Sequence, residues 1–476
     1  MLRKTKIIAT LGPAVDSDEA MEALLDAGMN VARLNFSHGV YDDHRRHFER
    51  VRRLAAVRGE PVAIVQDIQG PKIRVGTFPG GQVTLEEGRD VRLLPGEGEG
   101  DAERIHVAYL DRVDLEPGAR VLLADGMIAL EVERVDDGEA VARVDVGGVL
   151  GDHKGAAFPG SRLSIPPITD KDRADLSFGL ELGFDAVAVS FVSSAADLRT
   201  VREVVGDVPL IAKIETAVGY RNLGDILTEA DGVMVARGDL GVELSLERVP
   251  RAQVEILRTT NAAGKISITA TEMLESMTTS PRPTRAEVTD VYRSVLDGSD
   301  AVMLSAETAA GRYPARAVRA MDIICREAEM SPDYGRAKEV SLLEDRSRFA
   351  SATAEASVDT ADRLGLSTIV AFTESGSTAR LLSKYRPHAD VYAFTPSDRT
   401  YRLMAVYGGV TPLRFERVDS TDEMIDYAER YLLAHGMVRR GDGLVMVAGI
   451  PPNQQASTNL MKLHEVGATT GGVPDR

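Results

Sequence analysis

The chain has 476 residues, of which 43% are apolar and 27% charged; this length predicts about three domains, and no apolar run approaches the roughly 18 residues that cross a bilayer. Its net charge of −17 disfavours nucleic acid and anionic membranes as partners, because both would be repelled at long range. A single cysteine, Cys325, excludes an intrachain disulfide, and the short apolar stretch at the N-terminus is unlike a signal peptide, so we expect a cytoplasmic protein.

Strands and helices alternate over the first 67 residues. Apolar runs at 6–12, 30–36 and 62–67 are separated by helical segments, a pattern typical of parallel strands. The alternation stops at Gly70-Pro71. Residues 72–167 carry short apolar runs between Gly and Asp turns, which predicts an all-β insertion.

The alternation returns after residue 168 and predicts five more strands, at 186–190, 209–214, 232–236, 266–269 and 301–304. With the first three they make eight, which predicts a (β/α)8 TIM barrel. Residues 350–476 have the pattern of another α/β unit. We therefore assign 1–69 and 168–340 to the barrel, 70–167 to the inserted all-β domain, and 341–476 to a C-terminal α/β domain.

Polar residues follow six of the apolar runs, in five cases as pairs spaced two apart. In a strand this spacing places both side chains on one face, and the C-terminal strand ends of such a barrel carry the active site. The mixture of cations and carboxylates suits a phosphorylated substrate beside a divalent metal. The residues are Arg33/Asn35, Asp67, Lys213/Glu215, Arg237/Asp239, Thr269/Thr271 and Ser305/Glu307.

Lys213 ends an apolar strand, where an ammonium is costly unless anions compensate for its desolvation. A structural salt bridge to Glu215 or Asp239 would explain this one residue. It does not explain why four neighbouring strands also point charges at the same mouth. Glu215 and Asp239 offer the hard oxygen ligands that Mg²⁺ or Mn²⁺ prefers, so we predict them as the metal pair.

Seven motifs, in the same order, resemble those of the pyruvate kinase family. They are RLNFSHG (33–39), QGPKIR (69–74), KIE (213–215), VARGDLGVE (235–243), TATEMLESM (269–277), SPRPTRAE (280–287) and DAVMLSAETAAGRYP (300–314). The resemblance covers nearly the whole chain. It implies a homotetramer that transfers the phosphoryl group of phosphoenolpyruvate to ADP. The chain departs from the family pattern at Ser193, Glu272 and Ala306, none of which is a metal ligand or the central lysine.

The resemblance also implies roles for individual residues. Phosphoenolpyruvate would sit beside Gly238 on the metal held by Glu215 and Asp239, while Arg33 and Lys213 would neutralise the transferring group. Lys213 would also steady the enolate, and Thr271 would help to deliver a proton to it through water. The residues that match nucleotide contacts are Thr10, Asn35, His38, Arg74 and Lys154. Since Lys154 lies in the inserted domain, that domain would act as a lid that closes on ADP.

Two other functions remain open at this point. A metal-dependent lyase or aldolase could make a pyruvate enolate on a similar barrel, but it would need no nucleotide lid. A regulatory binding protein could keep the fold after losing catalysis, but it would have no need of intact Lys213, Glu215, Asp239 and Thr271. Both are therefore less favoured than the phosphotransferase.

Many members of the family need K⁺, held by a threonine hydroxyl and by groups that match Asn35, Ser37 and Asp67. In this chain Ile68 replaces the threonine, Gln69 a lysine and Lys72 a glutamate. The last two changes together add one positive charge, which equals that of the missing ion. We predict that Lys72 supplies this charge beside Asp67 as part of the catalytic machinery, and that K⁺ is not required. The alternative is that Lys72 points into solvent and K⁺ still binds.

The segment TESGST (373–378) follows a predicted strand and opens a predicted helix, so it could hold the phosphate of an effector. Ordinary N-capping would explain the same residues, but the resemblance favours an effector loop formed by Thr373, Ser375, Gly376, Ser377 and Thr378. The facing loop, 450–458, has no Lys or Arg for a second phosphate. We therefore expect activation by a sugar monophosphate or AMP rather than by fructose 1,6-bisphosphate.

Overall fold

The structure is a computed structural model that describes residues 2–136, 138–335, 348–418, 420–450 and 457–468. Its first part alternates strands and helices, as predicted. Ser17 caps the first helix by accepting from the Ala20 N–H, and Gly28 ends it in the left-handed conformation. The elements are β1 (Lys6–Thr10), α1 (Asp18–Ala27), β2 (Val31–Asn35), α2 (Tyr41–Arg58) and β3 (Ala63–Asp67).

The inserted domain is a β structure with its own apolar core. Along β5 the side chains of Val91 and Leu93 are buried while those of Asp90 and Arg92 are exposed, the alternation expected of a half-buried strand. Its strands are β4 (Gln82–Leu85), β5 (Asp90–Pro95), β6 (Arg104–Val107), β7 (Val113–Asp114), β8 (Arg120–Leu123), β9 (Ile128–Asp136), β10 (Glu139–Val146), β11 (Gly148–Gly151), β12 (Ala156–Ala157) and β13 (Arg162–Leu163).

The barrel then resumes and closes. Its eight strands are parallel, β14 pairs with β3 across the insertion, and β18 pairs with β1. The elements are α3 (Asp170–Leu182), β14 (Ala186–Val189), α4 (Ala195–Val205), β15 (Leu210–Ile214), α5 (Ala217–Arg221), α6 (Leu223–Glu229), β16 (Gly232–Ala236), α7 (Arg237–Leu244), α8 (Val249–Ala262), β17 (Ile266–Ala270), α9 (Arg285–Leu296), β18 (Ala301–Leu304), α10 (Ala306–Ala309) and α11 (Pro314–Glu329).

The C-terminal domain is a five-stranded sheet with the order β21-β20-β19-β22-β23, in which β23 is an antiparallel edge strand that the sequence pattern did not predict. The predicted boundary at 340/341 lies outside the described residues. The elements are α12 (Arg348–Leu364), β19 (Thr368–Phe372), α13 (Ser377–Lys384), β20 (Asp390–Thr395), α14 (Asp398–Leu403), β21 (Val410–Arg414), α15 (Thr421–Ala434), β22 (Gly443–Ala448) and β23 (Leu460–Glu465).

Buried ionic groups join this domain to the N-terminal end of the barrel. The Lys6 ammonium donates to the Val410 carbonyl at 2.7 Å. The carboxylate of Asp300 is paired with Lys384 and with Arg386, and all three side chains are buried. The apolar core at this end of the barrel is continuous with that of the C-terminal domain.

Asp172 in α3 fixes both chain crossings of the inserted domain. One carboxylate oxygen accepts the N–H of Gly70 at 3.1 Å, and the other accepts the N–H of Thr169 at 2.8 Å and its hydroxyl at 2.7 Å. Asp172 is fully buried. Gly70 has φ +68°, and a Cβ there would lie 3.0 Å from the Cβ of Ser190, so the outgoing crossing requires glycine.

Candidate active site

Lys213 lies one residue before the end of β15, and its ammonium is surrounded by oxygen atoms. Its Nζ is 3.2 Å from Asp67 Oδ1, 3.0 Å from Glu215 Oε1 and 2.7 Å from the hydroxyl of Ser190. Burial lowers the pKa of Lys213, but Asp67 and then Glu215 raise that pKa by more, so the net shift is upward. The ammonium is therefore charged.

Arg33 shares the Asp67 carboxylate with Lys213. Its Nε donates to Asp67 Oδ2 at 2.7 Å, and its NH1 donates to the hydroxyl of Thr10 at 3.0 Å. Burial raises the pKa of Asp67, but Arg33 and Lys213 lower it by more, so this buried carboxylate is ionised. Two cations therefore converge on one carboxylate, and their orientations are fixed before any anion arrives.

Glu215 and Asp239 form a carboxylate pair beside Lys213. Glu215 directly follows β15, is 2% exposed and accepts the N–H of Phe191 at 2.6 Å. Burial raises the pKa of Glu215, the Lys213 charge lowers it, and the negative charge of Asp239 raises it again, with a net upward shift. A cation placed between the two carboxylates would relieve this repulsion.

The donor set fits a divalent cation with few protein ligands. Two carboxylates are the usual protein contribution to a Mg²⁺ site that completes its shell with water and substrate oxygens. Within the described ranges, no group of three or more His, Cys, Asp or Glu side chains is arranged to hold a metal ion. Glu215 and Asp239 both line a cleft between the barrel and the lid domain, which we define as residues 70–167.

Thr271 has a strained backbone next to this pair. It follows β17 with φ +67°, a region that β-branched residues rarely adopt. Its hydroxyl accepts the N–H of Gly238 at 2.9 Å and donates to the Ala270 carbonyl at 2.7 Å. Thr271 and Gly238 are thus joined, and the strain is consistent with a functional constraint on Thr271.

The expectation that each polar pair shares one strand face is wrong for most pairs. Arg237 and Asp239 lie in the first turn of α7, where Arg237 turns away to donate to the Thr271 carbonyl and to Asp290, each at 2.7 Å. Glu307 lies in α10, is fully buried and accepts the N–H groups of Leu274 and Ser305. These two charged residues hold the loops of the barrel mouth in place.

Thr269 is also directed away from the mouth, since its hydroxyl is hydrogen bonded to that of Ser299 at 2.8 Å. Only Arg33 and Asn35 lie together within one strand, β2. Asn35 accepts the N–H of Ser37 through its side-chain oxygen at 3.2 Å.

Lys72 contacts Asp239 rather than Asp67. Its Nζ is 3.1 Å from Asp239 Oδ1, and both side chains are partly exposed. Asp67 has Arg33 and Lys213 as its ionic partners instead. Ile68 is fully buried in an apolar cluster on the outer side of the barrel strands.

The residues that match nucleotide contacts fall in two places. Thr10 and Asn35 are at the barrel mouth, where Thr10 is buried against Arg33 and donates to the Leu304 carbonyl. Arg74 and Lys154 are neighbours along the backbone of the lid domain, because Arg74 forms an isolated antiparallel β-bridge with Gly155, the residue after Lys154. His38 is exposed on the barrel.

The candidate effector loop is bonded mainly to itself. The N-cap of α13 is Gly376, whose N–H donates to the Thr373 hydroxyl at 2.9 Å, and the hydroxyls of Ser375 and Ser377 are 3.1 Å apart. Thr378 is buried, and its hydroxyl is 2.7 Å from that of Thr458. Most of the facing loop, 451–456, lies outside the described residues.

Three features were not predicted from the sequence: the role of Ser190, the role of Asp172, and the contact of Lys72 with Asp239. Ser190 directly follows β14, so it occupies the same strand-end position as the polar residues that were singled out, and this signal could have found it. The contacts of Asp172 with Gly70 and of Lys72 with Asp239 join residues more than 100 positions apart, and the sequence carries no local signal for them.

Comparisons with known proteins agree with the resemblance. Residues 2–318 match the family model described as pyruvate kinase, barrel domain, and residues 351–464 match the pyruvate kinase alpha/beta domain. The pyruvate kinases of Staphylococcus aureus strains USA300 and NCTC 8325 are each 42% identical over 98% of this chain and 81% of theirs. A crystal structure of a pyruvate kinase from Cryptosporidium parvum matches with a TM-score of 0.92 and 36% identity, over 98% of this chain and 96% of that one.

No helix in the described part of the chain is both long and apolar enough to cross a membrane. The predicted fold, an eight-stranded parallel barrel with an inserted β domain and a C-terminal α/β domain, is confirmed. With both family models matched and relatives aligned over 98% of this chain, this chain belongs to the pyruvate kinase family and is an enzyme that transfers a phosphoryl group in glycolysis.

Proposed function

We propose that this enzyme makes ATP and pyruvate from ADP and phosphoenolpyruvate at the site formed by Arg33, Lys213, Glu215, Asp239 and Thr271. The observation that carries the proposal is that two buried cations share Asp67 directly beside a carboxylate pair. Such a site attracts a trianionic substrate, because the cations neutralise the phosphoryl oxygens where water is excluded.

Each residue would act by holding charge or protons in place. Arg33 and Lys213 would bind the phosphoryl oxygens, and Lys213 would then stabilise the negative charge left on the enolate oxygen. The Thr271 hydroxyl, held by the Gly238 N–H, would orient a water molecule that protonates the enolate carbon. Glu215 and Asp239 would hold Mg²⁺ or Mn²⁺, whose charge stabilises the oxygens of the transferring group.

The lid domain would complete the nucleotide site. Arg74 and Lys154 lie together on it, and both are cations that can bind the phosphates of ADP. Closure of the lid over the cleft would exclude water, so that the phosphoryl group reaches ADP rather than solvent. We also propose a homotetramer, on family resemblance alone, and its mass in solution tests it.

A coupled assay tests the reaction itself. Purified protein with Mg²⁺, phosphoenolpyruvate and ADP should produce ATP and pyruvate in equal amounts, with AMP and sugar phosphates also tried as activators. If no ATP forms, release of pyruvate from a 4-hydroxy-2-keto acid by C–C bond cleavage would instead favour the lyase or aldolase. An absence of both would favour a binding protein.

We further propose that Lys72 replaces the monovalent cation of K⁺-dependent relatives. The support is that Ile68 is buried and offers no hydroxyl, while the ammonium of Lys72 lies in the cleft on Asp239. Activity should be full in a buffer whose only monovalent cation is a large organic one. The triple change Ile68→Thr, Gln69→Lys and Lys72→Glu should create a requirement for K⁺. A wild-type enzyme stimulated about tenfold by K⁺ would contradict this proposal. A tenfold change in rate corresponds to a change of about 1.4 kcal/mol in activation free energy.

Regulation by a phosphorylated effector at Thr373, Ser375, Gly376, Ser377 and Thr378 is likewise a proposal. Its support is a cluster of hydroxyls and N–H groups at the start of α13. Saturation curves for phosphoenolpyruvate should shift to lower concentration with AMP or a sugar monophosphate. A response to fructose 1,6-bisphosphate alone would contradict the predicted effector class.

A further inference from the structure

Ser190 lies where the fourth barrel strand ends and makes two hydrogen bonds with different roles. Its side chain is buried, and its hydroxyl donates to the Ile68 carbonyl at 2.8 Å. The same oxygen is 2.7 Å from the ammonium of Lys213. A serine hydroxyl has one proton, and Ile68 takes it, so toward Lys213 the oxygen presents only lone pairs.

The Ile68 carbonyl is a fixed partner for that proton. The N–H of Ile68 donates to the Ala188 carbonyl at 3.1 Å, and the side chain of Ile68 is fully buried. Ile68, whose carbonyl accepts the Ser190 proton, is therefore held in the barrel by its own N–H and side chain. The lone pairs of the Ser190 hydroxyl therefore keep a fixed orientation toward the ammonium of Lys213.

The two ionic partners of the Lys213 ammonium, Asp67 and Glu215, have further partners. Asp67 also accepts from Arg33, and Glu215 also accepts from the Phe191 N–H. Glu215 is in addition a proposed metal ligand, so a bound cation would compete with Lys213 for its oxygens. Ser190 is neutral, so a bound cation would attract its hydroxyl less strongly than it attracts the carboxylate of Glu215.

We infer that Ser190 is a positioning residue, which holds the Lys213 ammonium in place by accepting one of its three N–H bonds. This rests on the role proposed for Lys213 in phosphoryl transfer. If a metal draws Glu215 away, the hydrogen bond to Ser190 and the charge of Asp67 would still hold the ammonium, and N–H groups of Lys213 would remain available for the substrate. The orientation of Lys213 is thereby fixed before the transition state forms.

The test compares Ser190→Ala, which removes the hydroxyl, with Ser190→Cys, which keeps the side-chain volume but is a weak acceptor. We expect kcat to fall about 10- to 100-fold in both variants, the range for losing a hydrogen bond to a charged group. The KM for ADP should stay within about twofold of wild type, because Lys213 does not bind the nucleotide. Ser357→Ala is the matched control, because Ser357 is fully buried in α12 and also donates to a backbone carbonyl, that of Thr353.

A second measurement asks whether Ser190 acts through Lys213. In the Lys213→Met background, Ser190→Ala should lower the residual kcat by less than about twofold, because the ammonium it positions is gone. Normal kcat in Ser190→Cys, a KM for ADP that rises as kcat falls, or a full second loss in the double variant would each overturn the inference. An inactive wild type would instead refute the proposed function.

Discussion

Replacing Lys213 with methionine removes one buried positive charge and keeps most of the side-chain volume. Asp67 would retain Arg33 at 2.7 Å, so its charge would stay paired. Glu215 would retain the Phe191 N–H, and its pKa, already raised, would rise further without the ammonium, so Glu215 could take up a proton. We therefore expect Lys213→Met to fold.

The loss of activity should be far larger than the loss of stability. A cation that neutralises a transferring phosphoryl group is typically responsible for 10³- to 10⁵-fold in rate, and the Lys213 side chain is only 11% exposed. We expect kcat to fall by about that factor. The KM for ADP should change little, since Arg74 and Lys154 are untouched.

The assay is coupled ATP formation at saturating Mg²⁺, with circular dichroism and thermal unfolding as checks on folding. Lys171→Met is a suitable control, because Lys171 forms an ion pair on α3 with Asp175 and donates to the Phe36 carbonyl, and neither partner is a proposed site residue. A folded Lys213→Met enzyme with kcat within tenfold of wild type would refute the proposed role of this lysine.

Three further predictions use other parts of the molecule. Glu215→Ala should raise the Mg²⁺ concentration needed for half-maximal activity at least tenfold, and an unchanged Mg²⁺ dependence would place the metal elsewhere. Burial lowers the pKa of Lys6 to about 7, well below its unfolded value, so the unfolded chain binds the extra proton above pH 7 and stability should rise with pH. Between pH 7 and 9 the free energy of unfolding, measured with urea, should rise by about 2 kcal/mol more in wild type than in Lys6→Met. An equal rise in the two proteins would contradict this. Gly70→Ala should lower the melting temperature more than Gly59→Ala: both glycines have positive φ, but a Cβ at Gly70 meets a neighbour at 3.0 Å and one at Gly59 meets nothing within 4 Å.

The sequence predicts the architecture well because the pattern that specifies it is local. Alternating buried strands and amphipathic helices located each barrel strand to within one or two residues, for example 209–214 against Leu210–Ile214. The predicted break at Gly70-Pro71 lies between β3, which ends at Asp67, and β4, which begins at Gln82. Most side chains of the extra edge strand β23 are partly or fully exposed, so its sequence lacks the buried apolar run by which the other strands were predicted.

The site was predicted in composition but less well in geometry. The assumption that residues two apart share a face holds only inside a strand, and β16 ends at Ala236, so Arg237 and Asp239 point in different directions from a helical turn. The charge arithmetic predicted Lys72 beside Asp67, whereas Lys72 contacts Asp239, and which carboxylate it reaches depends on how the lid domain lies on the barrel. Tertiary contacts of this kind leave no local signal.

The double attachment of the inserted domain at Asp172 bears on how the barrel assembles. Strands β3 and β14 must pair although residues 70–167 separate them, and closing so long a loop costs about 2 to 3 kcal/mol more than closing a turn of five residues. The inserted domain has its own apolar core, and both of its ends lie within reach of one carboxylate. If the inserted domain folds first, its two ends lie close together and hold β3 and β14 near each other. A strand pairing that is distant in sequence then becomes a local folding event.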